Sequence, residues 1–68
     1  MILQARKRGG DPWQEITEDQ LSDICLDLCG GGWNTSETRR AMVLRSRILA
    51  GGKFRSLKGY QLQGVADE

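Results

Sequence analysis

Seven basic side chains and no acidic one lie between Thr38 and Ala66, and this run of cations is the clearest chemistry that the sequence offers. The seven are Arg39, Arg40, Arg45, Arg47, Lys53, Arg55 and Lys58. A surface that concentrates positive charge attracts and holds polyanions. The pattern therefore predicts an anionic partner for the second half of the chain.

The first half has the opposite charge. The segment from Asp11 to Asp27 carries six carboxylates and no cation, so residues 1–34 have a net charge of −3 and residues 35–68 a net charge of +4. The alternative to an anionic partner is that these two segments pair with each other within one fold. Charge alone does not separate the two interpretations.

A second basic group, Arg6, Lys7 and Arg8, precedes Gly9 and Gly10. The glycines separate residues 1–10 from the rest, so we expect either a flexible basic arm or a short strand there. A flexible basic arm can follow the minor groove of DNA. The alternative is a solvated terminus with no function.

The cysteines and glycines do not indicate catalysis. Cys25 and Cys29 are the only cysteines and there is no histidine, so one chain cannot supply the four ligands of a zinc site. Four residues apart on a helix, the two thiols share a side with apolar residues, which favours core packing over redox or metal chemistry. The glycine runs lack the Gly-Lys-Ser/Thr pattern of a phosphate-binding loop. We expect no enzyme activity, no cofactor and no metal.

With 68 residues the chain is expected to form one small domain, over residues 11–64, with a tail at 65–68. No apolar run reaches the roughly 18 residues of a membrane span. The first residues, MILQARKR, lack the order of a signal peptide. We therefore expect a cytoplasmic protein that does not enter a membrane.

Two capping signals predict two helices. Thr17 with Gln20 forms a capping box for a helix over 18–29, which the three glycines at 30–32 end. Asn34 is a cap for a second helix over 35–50, which Gly51 ends. An Asp-Pro pair at 11–12 predicts a single helical turn before Ile16.

The second helix has an apolar and a basic side. At 100° per residue the apolar side carries Ala41, Met42, Leu44, Ile48 and Leu49, and the other side carries Arg39, Arg40, Val43, Ser46 and Arg47. Arg45 falls within the apolar side, so we expect its stem to pack there and its guanidinium to reach the rim or a carboxylate of the first helix. The tryptophans, Trp13 and Trp33, each neighbour a helix start. We expect both to close the core, although they can also stack on bases in a single-strand binder.

After the second helix, residues 53–57 and 60–63 predict a β-hairpin whose turn contains Lys58 and Gly59. The order of helix, glycine turn, basic helix and basic hairpin resembles the winged helix-turn-helix class. The resemblance covers Ile16 to Leu62, and its clearest piece is LRSRILAGGKFRSLKGYQL. The turn between the helices is longer than in that class, and the leading helix is short or absent. The expected fold is thus α+β, a small winged helix-turn-helix-like domain of two main helices and a short hairpin.

The resemblance implies that residues 35–50 act as a recognition helix in the DNA major groove and that the hairpin contacts neighbouring phosphates or the minor groove. The side chains suit these roles, since arginine can bind guanine with two donors and Val43 can meet a thymine methyl. Hydroxyls at the helix start can bind a phosphate. The candidate DNA-binding residues are Thr35, Ser36, Thr38, Arg39, Arg40, Val43, Arg47, Lys53, Arg55 and Lys58.

The sequence thus predicts a small DNA-binding protein, a transcriptional regulator or a recombination or replication accessory factor of a bacterial or phage system. A domain of this size offers little interface, so we expect a homodimer or a second DNA-bound protein. The rival prediction is a protein-binding inhibitor or adaptor. Such a module would use the basic face or the stripe of Asp19, Asp23 and Asp27 on the first helix.

Overall fold

Two helices lie on one face of a four-stranded antiparallel sheet in the computed structural model, which describes residues 1–66. In chain order the elements are β1 (Ile2–Arg6), β2 (Gln14–Ile16), α1 (Glu18–Leu28), α2 (Thr35–Leu49), β3 (Lys53–Arg55) and β4 (Gln61–Val65). The order across the sheet is β2-β1-β4-β3, so β1 and β4 are central and β3 is an edge strand. A small α+β domain with two helices is confirmed.

Both helices begin at the predicted caps. Thr17 Oγ1 accepts a hydrogen bond from the Gln20 N–H at 3.2 Å, and Gln20 Oε1 accepts from the Thr17 N–H at 2.9 Å. Asn34 Oδ1 accepts from the Glu37 N–H at 2.9 Å. These bonds satisfy N–H groups that have no partner within the helix, which is why a local sequence signal fixes where each helix starts.

Arg45 lies between the helices as expected. Its Nε donates to Ser22 Oγ at 2.9 Å, and its guanidinium lies 3.9 Å from a Glu18 carboxylate oxygen. The side chain is half-buried, so its stem packs against the helices while the charged end reaches the rim. The prediction for this residue is confirmed.

The core is formed where the two helices meet β1 and β4. Its buried members are Leu3, Ala5, Leu21, Cys25, Ala41, Leu44, Ile48 and Leu62. Burial, and secondarily the neighbouring Cys29, raises the pKa of Cys25 to about 11, so this thiol stays protonated at neutral pH. Cys25 therefore serves as a small apolar core side chain, in agreement with the sequence prediction.

The predicted hairpin is present, since β3 pairs with β4 and Phe54 lies opposite Leu62. Gly59 in its turn has a φ of 93°, the left-handed conformation that glycine adopts more readily than other residues. Strand β4 continues to Val65, which pairs with Ile2. Val65, the first residue of the predicted tail, thus belongs to β4. Asp67 and Glu68 lie outside the described residues.

The prediction of a helical turn before Ile16 is wrong. Residues Gln14–Ile16 form β2 instead, with Ile16 opposite Leu3. For residues 1–10, the short strand rather than the flexible arm is present, because Leu3 and Ala5 occupy alternate positions and are both buried under the helices. Pairing with β4 on one side and β2 on the other makes β1 a central strand.

Within residues 1–66, no helix has the length and apolar character needed to cross a membrane. The same residues contain no group of three or more cysteine or acidic side chains placed to hold a metal ion.

Candidate nucleic-acid interface

Two exposed arginines share one side of α2. Arg40 and Arg47 are seven residues apart, so they project within about 20° of each other around the helix axis. The end of this side touches the start of β3: the Arg47 carbonyl accepts from the Gly52 N–H at 2.9 Å, and a Cβ at Gly52 would lie 2.8 Å from Arg47 Cγ. The absence of a side chain at Gly52 lets the Arg47 stem lie against the backbone that leads into β3.

The basic residues of the hairpin continue from this point. Phe54 lies opposite the fully buried Leu62, so the alternation of the strand turns Lys53 and Arg55 to the face that the helices do not cover. Both side chains are exposed. We use the name basic ridge for the four cations Arg40, Arg47, Lys53 and Arg55, of which two lie on α2 and two on the outer face of the edge strand that follows it.

Among residues 1–66, no carboxylate forms an ion pair with the basic ridge. In the part of the chain that the structure describes, Arg45 with Glu18 is the side-chain ion pair within 4.0 Å. The four ridge cations have no carboxylate at that distance. The acidic and basic segments thus pair with each other through Glu18 and Arg45, and the basic ridge remains available to an anion.

The other predicted residues occupy different places. Thr35, Ser36 and Thr38 are exposed at the start of α2, where Thr38 Oγ1 donates to the Asn34 carbonyl at 3.1 Å. Arg39 and Val43 lie beside Trp33 rather than beside β3. Lys58 is exposed in the hairpin turn, at the opposite end of β3 from Lys53. The predicted set is therefore spread over four places, of which the ridge holds the largest number of cations.

Trp33 is not in the core, so the sequence prediction for it is wrong. Trp33 is 90% exposed, and its backbone N–H donates to a Glu37 carboxylate oxygen at 2.8 Å. This bond holds the backbone of Trp33 at the helix start. With Met42 at 64% and Val43 at 59% exposure, Trp33 lines an apolar groove of roughly 850 Å³ beside α2. We call it the Trp33 groove.

Trp13 is half-buried and lies outside the core cluster, so the prediction that it closes the core is wrong as well. The guanidinium carbon of Arg6 lies 4.1 Å from its ring centroid, a cation–π contact. Arg6 projects from β1 on the face away from the helices, because Leu3 and Ala5 take the inner face. Sequence reasoning missed this pair, and the alternation in ILQAR was the signal that could have placed Arg6.

Comparison of the chain with protein-family models, with curated proteins and with solved structures finds no match.

Proposed function

We propose that the protein binds duplex DNA through the basic ridge. The observation that carries this proposal is that four exposed cations, two on α2 and two on the adjoining edge strand, have no carboxylate within 4.0 Å among residues 1–66. Lysine and arginine that meet backbone phosphates displace condensed counterions, which is the main source of affinity in protein–DNA binding. Contacts to bases then add sequence preference.

The dimensions of the ridge suit a duplex. Arg40 and Arg47 are about 10 Å apart along the helix axis, and Lys53 and Arg55 are about 7 Å apart along the strand. Duplex DNA carries a charge about every 1.7 Å along its axis, so several phosphates face a ridge of this length. In the arrangement we propose, the side of α2 with Arg40 and Arg47 enters the major groove and the hairpin contacts the flanking phosphates.

This arrangement is that of a winged helix-turn-helix domain, with α1 and α2 as the two helices and β3–β4 as the wing. The order of these elements and the glycines that bound α2 support it. Strands β1 and β2 come before the helices and extend the wing into a four-stranded sheet. We propose that this sheet supports the wing in place of the missing leading helix.

The biological role that fits is a regulator or a recombination or replication accessory factor in the cytoplasm of a bacterial or phage-infected cell. The protein would act as a homodimer or beside a second DNA-bound protein, because one copy offers a small interface. We propose no catalytic activity.

The affinity for duplex DNA should fall steeply with salt. Fluorescence anisotropy with a labelled mixed-sequence duplex would give log K against log salt with a slope of about −3 to −4, since each neutralised phosphate contributes about −0.9. This slope assumes that each of the four ridge cations neutralises one phosphate. A slope near zero, or no binding at about 50 mM salt, would contradict the proposal.

A second candidate function is protein binding, favoured by the Trp33 groove. Exposed aromatic and methionine side chains are enriched where proteins contact each other. A Trp33→Ser variant separates the two candidates: unchanged duplex affinity shows that the groove is not part of the DNA site.

A second variant tests the acidic side of α1. Changing Asp19, Asp23 and Asp27 to Asn should leave duplex affinity no weaker if that stripe is only a solvated face.

A further inference from the structure

We propose that the outer face of the sheet, the one that the helices leave open, binds single-stranded nucleic acid. Its bases would stack against Trp13, and its phosphates would contact Arg6, Lys53 and Arg55. This proposal goes beyond duplex binding, because it assigns a different surface and a different form of nucleic acid. The two surfaces share only Lys53 and Arg55.

Strand register arranges the outer face in two rows across β1, β4 and β3. The first row is Arg6, Gln61 and Arg55, and the second is Gln4, Gln63 and Lys53. With neighbouring strands about 4.8 Å apart, the cations that end the first row are about 10 Å apart. No element among residues 1–66 packs over these rows, and a shallow depression of roughly 410 Å³ joins Trp13 to the side chains of β3.

The charge of this face favours an anionic ligand. Arg6, Lys53 and Arg55 contribute three positive charges to the two rows, which contain no carboxylate. Glu15 lies beside them on β2, opposite Gln4. Aliphatic side chains are confined to one end of the face, where Ile2 lies opposite Val65, and Trp13 lies beside Arg6 at the other end. A protein partner would therefore find few apolar anchors on the rows themselves, whereas a polyanion finds cations at both ends of the first row.

Trp13 supplies the stacking surface that single-strand binders use. Aromatic rings hold successive bases with little sequence preference, and arginine planes add to the stack. Arg6 is already placed for this, because it lies 4.1 Å from the Trp13 centroid and its Nε donates to Gln61 Oε1 at 2.8 Å. A ligand would meet a stack whose orientation is fixed before it binds.

The glutamines provide the polar contacts that unpaired bases need. Gln63 Nε2 donates to Gln4 Oε1 at 2.6 Å, and Gln61 Oε1 accepts from Arg6. The other polar atom of each side-chain amide has no hydrogen-bond partner among the described residues. These atoms are Gln63 Oε1, Gln4 Nε2 and Gln61 Nε2. Free amide donors and acceptors can bind the Watson–Crick edges that single strands expose and duplexes hide.

Tryptophan fluorescence tests this proposal without altering the surface itself. The chain has two tryptophans, so a Trp33→Phe variant leaves Trp13 as the only emitter. Titration with an oligothymidine of about 12 nucleotides should quench its emission in a saturable way, because a stacked base lies on or beside the ring. In the reciprocal Trp13→Phe variant, the emission of Trp33 should change little.

Unchanged Trp13 emission during oligothymidine binding, or equal quenching of both tryptophans, would overturn the proposal. So would the absence of any oligothymidine binding at about 50 mM salt. A Gln61→Ala, Gln63→Ala variant adds an independent readout: we expect about fivefold weaker oligothymidine binding with duplex affinity within about twofold. If the protein bound oligothymidine but not duplex DNA, the proposal for the basic ridge would fail and the present one would stand. The failures of the two proposals are therefore distinguishable.

Discussion

Replacing Arg40 and Arg47 with alanine is expected to weaken duplex DNA binding by roughly 30- to 1,000-fold. The estimate takes about 1 to 2 kcal/mol for each arginine that meets a base or phosphate. Both side chains are exposed, so the fold should be unaffected. Anisotropy at constant salt measures the loss, and the slope of log K against log salt should become less steep by about two units.

The matched control is a Lys7→Ala, Arg8→Ala variant, which removes the same charge from exposed positions between β1 and β2. Its affinity should fall by less than about threefold, because these residues lie outside the basic ridge. Equal losses in the two variants would show that binding follows overall charge, and the site we assign would then be wrong.

Gly64→Ala is expected to destabilise the protein by about 3 kcal/mol or to prevent folding. A Cβ at Gly64 would overlap the carbonyl oxygen of Ile48, so the end of α2 would have to move away from β4. That carbonyl is held in place, because it accepts from the Gly51 N–H at 3.0 Å and the Ile48 side chain is fully buried. A glycine in the middle of a strand that packs directly under a helix is what brings the two layers this close.

Urea denaturation measures this effect, with Gly10→Ala as the control. A Cβ at Gly10 has no atom within 4 Å and its φ is not in the left-handed region, so its unfolding midpoint should stay near that of the native chain. If Gly64→Ala also left the midpoint unchanged, the packing of α2 on β4 described above would be incorrect.

Local signals made the helices and the hairpin predictable from sequence. The Thr17 capping box, the Asn34 cap and the glycines after each helix act within a few residues of where they lie, so no tertiary information is needed to use them. Strand β1 was harder to identify. Its alternation is only five residues long, and it becomes a strand because Gln61–Val65, distant in sequence, pairs along its whole length.

The candidate site was predictable in its charge but not in its geometry. The run of cations after Thr38 pointed to an anionic ligand, whereas the grouping of Arg47 with Lys53 depends on the close contact at Gly52. The orientations of Trp13 and Trp33 also could not be read from spacing. The Trp13 ring stacks with Arg6 of another strand, and Trp33 is exposed beside the start of α2, where its backbone N–H donates to Glu37.

The most direct test of duplex binding by the basic ridge is NMR chemical-shift mapping on the ¹⁵N-labelled protein with a duplex of about 12 base pairs, roughly one helical turn. The account predicts that backbone amide shifts concentrate in α2 around Arg40 and Arg47 and in β3, while the acidic outer side of α1 stays unchanged. Shifts confined to α1, or the absence of any shift at a duplex concentration that saturates other DNA-binding domains, would contradict it.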